Sequence, residues 1–196
     1  MQPPAPLDDA QVAVLEKARN IQSKLRFAGF IALSNVFGLG LFAVLSVLFA
    51  LLDLSVPFMG VALGVLAWNE MRGWRGLRAG DPAASKRLAL NQLLLLATVI
   101  IYCAVNAYHG YTGPSPLDAV MGVDPSLPDA LGQAASDVGT SMDELTEWGR
   151  IAALLVYGVV AIASLIVQGL TAVYYRSLGP SLEALAATPA WARALS

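Results

Sequence analysis

Charged residues are scarce in this sequence: 13% of its 196 residues are Asp, Glu, Lys or Arg, whereas 57% are apolar. A soluble domain usually carries about a quarter charged residues, so the composition argues against a water-soluble protein. It argues equally against disorder, which requires low hydrophobicity. The single cysteine, Cys103, excludes a disulfide scaffold, and the net charge of −2 gives no signal for nucleic acid.

Catalytic signatures are also missing. The sequence contains no Gly-x-Ser-x-Gly, no His-Glu-x-x-His, no P-loop and no paired zinc ligands. Its one histidine, His109, excludes bis-histidine haem within one chain. No carboxylate has an obvious base or nucleophile partner in the sequence. We therefore predict no catalytic residues, no metal and no cofactor, and we favour a protein that is not an enzyme.

Charge is entirely absent from four windows of 26, 16, 30 and 25 residues. A helix rises about 1.5 Å per residue, so roughly 20 residues cross a hydrocarbon core of ~30 Å. Three windows are long enough alone. The second is short, but its flanking Asp53 and Glu70 are expected at its ends, where side chains reach the interface. The sequence predicts membrane helices at 28–51, 54–71, 88–108 and 151–175.

The predicted fold class is therefore all-α: a polytopic membrane protein whose residues 1–196 form a single membrane domain. The alternative, buried core helices of a soluble protein, leaves too little polar chain to cover them. Besides the four transmembrane helices, we expect an N-terminal amphipathic helix and an acidic outer loop that contains a short helix. The predicted segments outside the membrane are a cytoplasmic N-terminus at 1–26, an extracytoplasmic lid at 110–148 and a cytoplasmic tail at 176–196.

Basic residues are strongly segregated by this topology. Eleven of the twelve fall on the side that holds both termini, and only Arg150 falls on the other. The resulting net charges are +5 and −7, so the positive-inside rule places both termini in the cytoplasm. Nine Arg against three Lys hints at a GC-rich bacterial genome and hence at an inner membrane. Four aromatic residues are expected at the inner interface: Trp68, Trp74, Tyr174 and Tyr175.

Helix boundaries have recognisable signals. Asp8 with Gln11, and Ser141 with Glu144, are spaced as capping boxes that open helices. After the first box, apolar residues recur on one stripe. That stripe is Val14, Ala18, Ile21 and Leu25. It predicts either a helix lying on the inner leaflet or a continuous extension of the first membrane helix into the cytoplasm.

The two extramembrane connections differ. Gly80-Asp81-Pro82 predicts a tight turn, so that the second and third helices form a hairpin carrying Arg72, Arg75 and Arg78. These arginines are either a docking site for a partner or for acidic lipid, or ordinary basic charge that sets the topology. In the outer segment, apolar periodicity predicts a short helix near 127–138. Its acidic face lacks the spacing of a calcium loop. His109 and Tyr111 mark a candidate site beside this lid.

Polar and small residues within the predicted spans mark faces that avoid lipid. The third helix offers Asn91, Thr98, Tyr102 and Asn106, and the fourth offers Tyr157, Ser164, Gln168 and Thr171. The second helix has a small-residue stripe of Gly60, Gly64 and Ala67. These faces predict helix packing, with a ligand or lipid cleft between the third and fourth helices as the alternative.

Three functions follow from this pattern. The leading hypothesis is a small accessory or structural subunit, or a self-associating scaffold, whose partners are the lipid bilayer and other membrane subunits or further copies of itself. The alternative is a small transporter or channel with a path between the third and fourth helices. The second alternative is a membrane enzyme acting at the outer lid through His109.

Overall fold

The computed structural model describes residues 7–49, 57–113, 132–133, 135–137 and 139–195. In those ranges it is helical, without strands. The helices, numbered here along the chain, are α1 (Asp9–Phe49), α2 (Pro57–Ala79), α3 (Ala83–Thr112), α4 (Met142–Ser177), α5 (Gly179–Ala187) and α6 (Ala190–Leu195). The all-α class predicted from the sequence is confirmed.

Three of these helices, α1, α3 and α4, are long and apolar enough to cross a membrane. α2 is not among them, because its second half carries Glu70 and three arginines. Residues 50–56, which include the end of the first predicted span and the beginning of the second, lie outside the described residues, so the count of four spans stays a prediction. Most of the predicted lid and of its helix near 127–138 also lies outside them.

α1 is a single helix of 41 residues that begins at the predicted capping box. The Asp8 backbone N–H donates to Gln11 Oε1 at 3.1 Å, and the Gln11 N–H donates to Asp8 Oδ1 at 2.7 Å. Of the two alternatives for the N-terminal segment, the structure therefore has the continuous extension. Its buried stripe of Ala18, Ile21 and Leu25 lies on the side that contacts the C-terminal helices α5 and α6.

The two C-terminal helices were missed by the sequence analysis, which treated 176–196 as a tail. Pro180 occupies the first turn of α5, where a missing N–H costs nothing. Leu178, Leu182 and Leu185 then share one face and are buried with Tyr175 in the core. The same core takes in Leu25 of α1. The spacing of these three leucines, read together with Gly179-Pro180 and Pro189, was the signal available in the sequence.

The described chain divides into two compact units. The first unit comprises Met1–Leu95 and Gln168–Ser196, and the second unit comprises Leu96–Val167. The first unit holds a continuous apolar core built from α1, α2, the beginning of α3, the end of α4, and α5. In the second unit, Cys103 and Ala135 are the buried apolar residues among those described.

α2 and α3 form the predicted hairpin. Gly80 adopts a φ of 71°, which favours glycine, and Asp81 Oδ1 accepts the Ala83 N–H at 2.9 Å as the cap of α3. Close approach of the two helices depends on Gly73, because an added Cβ would lie 2.5 Å from Leu88 Cγ. The hairpin is thus fixed by a glycine in the turn and by a glycine at the helix contact.

The second unit contains the C-terminal part of α3 and the N-terminal part of α4. The rings of Tyr102 and Tyr157 meet edge to face with centroids 6.4 Å apart. The second predicted capping box is confirmed: Ser141 Oγ accepts the Glu144 N–H at 3.2 Å, and Glu144 Oε2 accepts the Ser141 N–H at 3.1 Å. Elsewhere this part of α4 presents apolar side chains to its surroundings.

Candidate functional site

Glu70 is the one acidic side chain that is completely buried among the described residues. The prediction that its carboxylate reaches the membrane interface is wrong, because the side chain is buried between helices. α2 continues for nine residues beyond Glu70, and the carboxylate lies on the buried face of the helix that carries Leu66, Ala67 and Leu77. A carboxylate on a buried helix face needs hydrogen-bond donors from its neighbours.

Four donors from three other helices surround this carboxylate. Oε1 accepts from Asn35 Nδ2 at 3.2 Å, from Gln92 Nε2 at 3.0 Å and from the Tyr175 hydroxyl at 3.2 Å. Oε2 accepts from Asn91 Nδ2 at 2.6 Å. We call these five residues the Glu70 cluster. It ties α1, α2, α3 and the end of α4 together through side chains that are widely separated in sequence.

The orientation of the Asn91 amide is fixed by a second bond. Its Nδ2 also donates to the Leu66 carbonyl oxygen at 3.0 Å, so turning the amide over would bring two oxygens together. Asn91 Oδ1 is then left buried without a partner. The same holds for Gln168 Oε1, on the part of α4 that belongs to the first unit. Two buried acceptors of this kind are unusual, since such groups are normally satisfied.

Electrostatically, the Glu70 cluster is unusual because its donors are all neutral. The ion pair that Arg87 makes with the Asp81 carboxylate, at 3.9 Å, does not involve Glu70. Three side-chain amides and one phenol therefore take the place of water around the carboxylate. A carboxylate offers about four lone-pair positions, two on each oxygen; three of the four bonds go to Oε1 and one goes to Oε2.

The neighbouring sequence explains why these side chains converge. In α1, Asn35 continues the buried stripe of Ala28 and Ala32 at helical spacing. In α3, Asn91 and Gln92 follow the buried Leu88 one turn later. Small residues on α1 and α2 let the backbones approach until amide side chains span the gap. The cluster is therefore a product of close helix packing as much as of polarity.

The predicted small-residue stripe on α2 has unequal surroundings. Gly60 faces α1, because an added Cβ would lie 3.1 Å from Ser46 Cβ and 3.3 Å from the Ala43 carbonyl oxygen. A Cβ on Gly64 would meet nothing within 4 Å, and Ala67 is buried. The partner of Gly60 is thus a helix of the same chain, whereas Gly64 lies in open space.

Of the polar residues predicted on α3, Asn91 belongs to the Glu70 cluster. Asn106 Nδ2 donates to the Tyr102 carbonyl oxygen of its own helix at 2.8 Å. Tyr102 is exposed apart from its ring contact with Tyr157. Thr98 is half-buried and interacts with another group. This set is therefore distributed over different surroundings and does not converge on one site.

On α4, Ser164, Gln168 and Thr171 are half-buried, whereas most of their neighbours are exposed. That pattern agrees with the face predicted for this helix, although its packing partner stays a prediction. His109 and Tyr111, the predicted lid site, are exposed at the end of α3. Residues 114–131, which would complete such a lid, lie outside the described residues.

Four members of the Glu70 cluster were not predicted as site residues: Asn35, Glu70, Gln92 and Tyr175. Tyr175 was expected at the membrane interface but is buried, and its hydroxyl bonds to Glu70. The signal available in the sequence was that one carboxylate and several amide residues all lie near the ends of otherwise apolar stretches. Sequence spacing alone does not show that these edges lie at the same depth.

Metal ligation has little support in the described ranges, where no group of three or more His, Cys, Asp or Glu side chains could hold an ion. The chemistry that the Glu70 cluster offers is acceptance of neutral donors by one carboxylate. Comparisons of the chain with family models, curated proteins and solved structures found no match.

Proposed function

We propose that this chain is a polytopic protein of the cell membrane, in a bacterial inner membrane, with four spans and both termini in the cytoplasm. Three helices already have the length and composition of spans, and α2 runs antiparallel to α1 from Gly60 onward. The pairing of Asn35 with Glu70 maintains that alignment. Eleven basic residues on one side of the four predicted spans support the orientation.

Within the membrane, we infer a structural role: a small accessory subunit, or a scaffold that associates with other membrane proteins or with itself. The observation that carries this proposal is the set of four same-chain donors, from three other helices, around Glu70. Carboxylates inside membrane proteins commonly mark ion or proton pathways. Here, four donors of the same chain hold the carboxylate, so it acts as a clamp between helices.

A transporter is the second candidate, favoured by one observation. Asn91 Oδ1 and Gln168 Oε1 are buried acceptors without partners, and both come from the polar faces predicted on α3 and α4. Amide oxygens of this kind can accept a hydrogen bond from a water or a protonated solute that passes between helices. In this proposal, Glu70 would be the group that holds a proton or responds to the solute.

Purification in mild detergent, followed by mass spectrometry of the intact complex, distinguishes the two candidates. The structural role predicts a stoichiometric membrane partner or a defined homo-oligomer, and no solute flux in proteoliposomes. A monomer that supports flux, with the flux abolished by Gln168→Leu, would contradict it. The control is Ile162→Leu, which changes an exposed apolar position of α4.

Orientation requires a separate experiment. In a Cys103→Ala background, single cysteines replace the exposed Lys86 and Glu147. On intact cells, an impermeant thiol reagent should label Glu147→Cys and leave Lys86→Cys unlabelled. Labelling at position 86 alone would reverse the proposed orientation, whereas labelling of both would contradict the number of spans.

A further inference from the structure

A groove of about 540 Å³ runs between α1, α2 and the end of α5 within the first unit. Two arginines, Arg26 and Arg78, lie in its lining together with Gln22, and no acidic residue does. The Arg78 guanidinium carbon lies 5.0 Å from the centroid of the Trp74 ring, a cation–π contact that holds it beside the groove. Arg26 Nη2 donates to Gln22 Oε1 at 3.4 Å.

Polarity changes along this groove in one direction on both helices. On α1, Gln22 and Arg26 are followed by Phe30 and Leu33, where the long uncharged stretch begins. α2 runs antiparallel, because Gly60 lies beside Ser46 and Trp74 lies beside Gly29, and its Arg78 follows Trp74 one turn later. The basic ends of the two helices therefore coincide, and so do their apolar parts.

This polarity matches that of a phospholipid. A phosphate is recognised by guanidinium groups, and basic pockets between helices on the cytoplasmic side hold anionic headgroups. The apolar wall carries Phe30, which is 67% exposed although it lies next to the basic end. An acyl chain laid along Phe30 and Leu33 would cover that surface.

We propose that this groove binds an anionic phospholipid, with its phosphate between Arg26 and Arg78 and an acyl chain along Phe30 and Leu33. The proposal rests on the membrane placement given under Proposed function. It adds a ligand class, and it gives two of the basic residues a role beyond topology. The binding step is electrostatic and apolar, without any covalent change.

The test is a lipid titration of the full chain, purified in mild detergent and followed by native mass spectrometry. The probes are dioctanoyl phosphatidylglycerol, its phosphatidylcholine counterpart, and inorganic phosphate as a competitor. The variant is Arg26→Gln with Arg78→Gln. The matched control is Arg19→Gln with Arg75→Gln, which removes the same charge from exposed positions of the same two helices outside the groove.

We expect the wild-type chain to prefer phosphatidylglycerol. Each basic residue near an anionic lipid contributes a factor of about five, so the groove variant should bind it roughly thirtyfold more weakly. The control should bind as the wild type does, and Arg26→Lys with Arg78→Lys should retain most of the binding. Phe30→Ala should weaken phosphatidylglycerol binding, because part of the acyl-chain wall is lost.

Equal binding of the two lipids, or equal loss in the control variant, would overturn the groove assignment. Displacement of the lipid by inorganic phosphate, with no effect of Phe30→Ala, would identify a site for a free anion instead. A chain recovered in the soluble fraction would contradict the membrane placement itself. A membrane-integrated chain without lipid preference would contradict the lipid site alone.

Discussion

The two units of this chain differ in how far their own side chains bury one another. The first unit has a core of its own, in which twelve buried residues pack together and four donors meet the Glu70 carboxylate, although α1 also leaves apolar side chains such as Phe30 exposed. In the second unit, the most apolar stretch of α4 leaves none of its residues buried. The difference shows where the protein itself determines packing and where its surroundings must cover the apolar side chains.

Polar residues accordingly have different structural roles in the two units. In the first unit, a polar side chain forms part of a specific contact between helices. In the second unit, Asn106 returns its amide to its own helix, and Tyr102 makes a ring contact. Substitutions should therefore have large effects near Glu70 and small effects along α4, as long as the apolar character of α4 is kept.

The largest effect is expected for Glu70→Leu. It removes the acceptor of four bonds, so Asn35, Gln92 and Tyr175 lose this acceptor and Asn91 Nδ2 keeps only its bond to the Leu66 carbonyl oxygen. An unsatisfied buried donor costs about 1–3 kcal/mol, so the total loss should be about 3 kcal/mol or more. The melting temperature in detergent measures it. Tyr175→Phe, which removes one bond of the four, should cost about 1 kcal/mol. Equal stability of Glu70→Leu and wild type would contradict the distinction drawn between the two units.

A smaller effect is expected for Gly73→Ala. The new Cβ would meet Leu88 within the core, and overpacking of a core typically costs about 1–3 kcal/mol. The matched control is Gly64→Ala on the same helix, where a Cβ meets nothing within 4 Å. That control should be neutral or gain up to about 1 kcal/mol from helix propensity. Leu88→Ala should restore tolerance of Gly73→Ala, and failure to do so would assign the cost to another contact.

Ser141→Ala should cost about 1 kcal/mol, because it removes the side-chain acceptor of the Glu144 N–H at the start of α4. The damage should stay local, since this capping box belongs to the second unit. Hydrogen exchange would show faster exchange in the first turn of α4 and unchanged protection around Glu70. Faster exchange around Glu70 would mean that the two units unfold together.

The smallest effect is expected for Gln168→Leu. Gln168 Oε1 is buried without a partner, so the substitution removes an unsatisfied acceptor. Hydrogen bonds between membrane helices average only about 0.6 kcal/mol, and the change in stability should lie within that range, with stabilisation as the favoured sign. A marked loss of stability would reveal a hydrogen-bond partner for this amide.

Local features of the fold were predictable from the sequence because local chemistry determines them. Both capping boxes and the Gly80-Asp81 turn form as their spacing indicates. The Glu70 cluster was not predictable, because it depends on the relative depth of helices far apart in sequence. Asn35 and Tyr175 meet the same oxygen although 140 positions separate them. α5 and α6 were not predicted although the spacing of Leu178, Leu182 and Leu185 was a signal; the stripe of α1 that contacts these helices explains why this face is apolar.

The central claim is that lipid covers the apolar side chains that the second unit leaves exposed. Ile162, 62% exposed on α4, tests it directly as Ile162→Cys in a Cys103→Ala background. Glu147→Cys serves as the aqueous reference. In native membranes opened to both sides, we predict that a water-soluble maleimide labels position 147 rapidly and position 162 only after unfolding in dodecyl sulfate. Rapid labelling of position 162 in the native membrane would contradict the account.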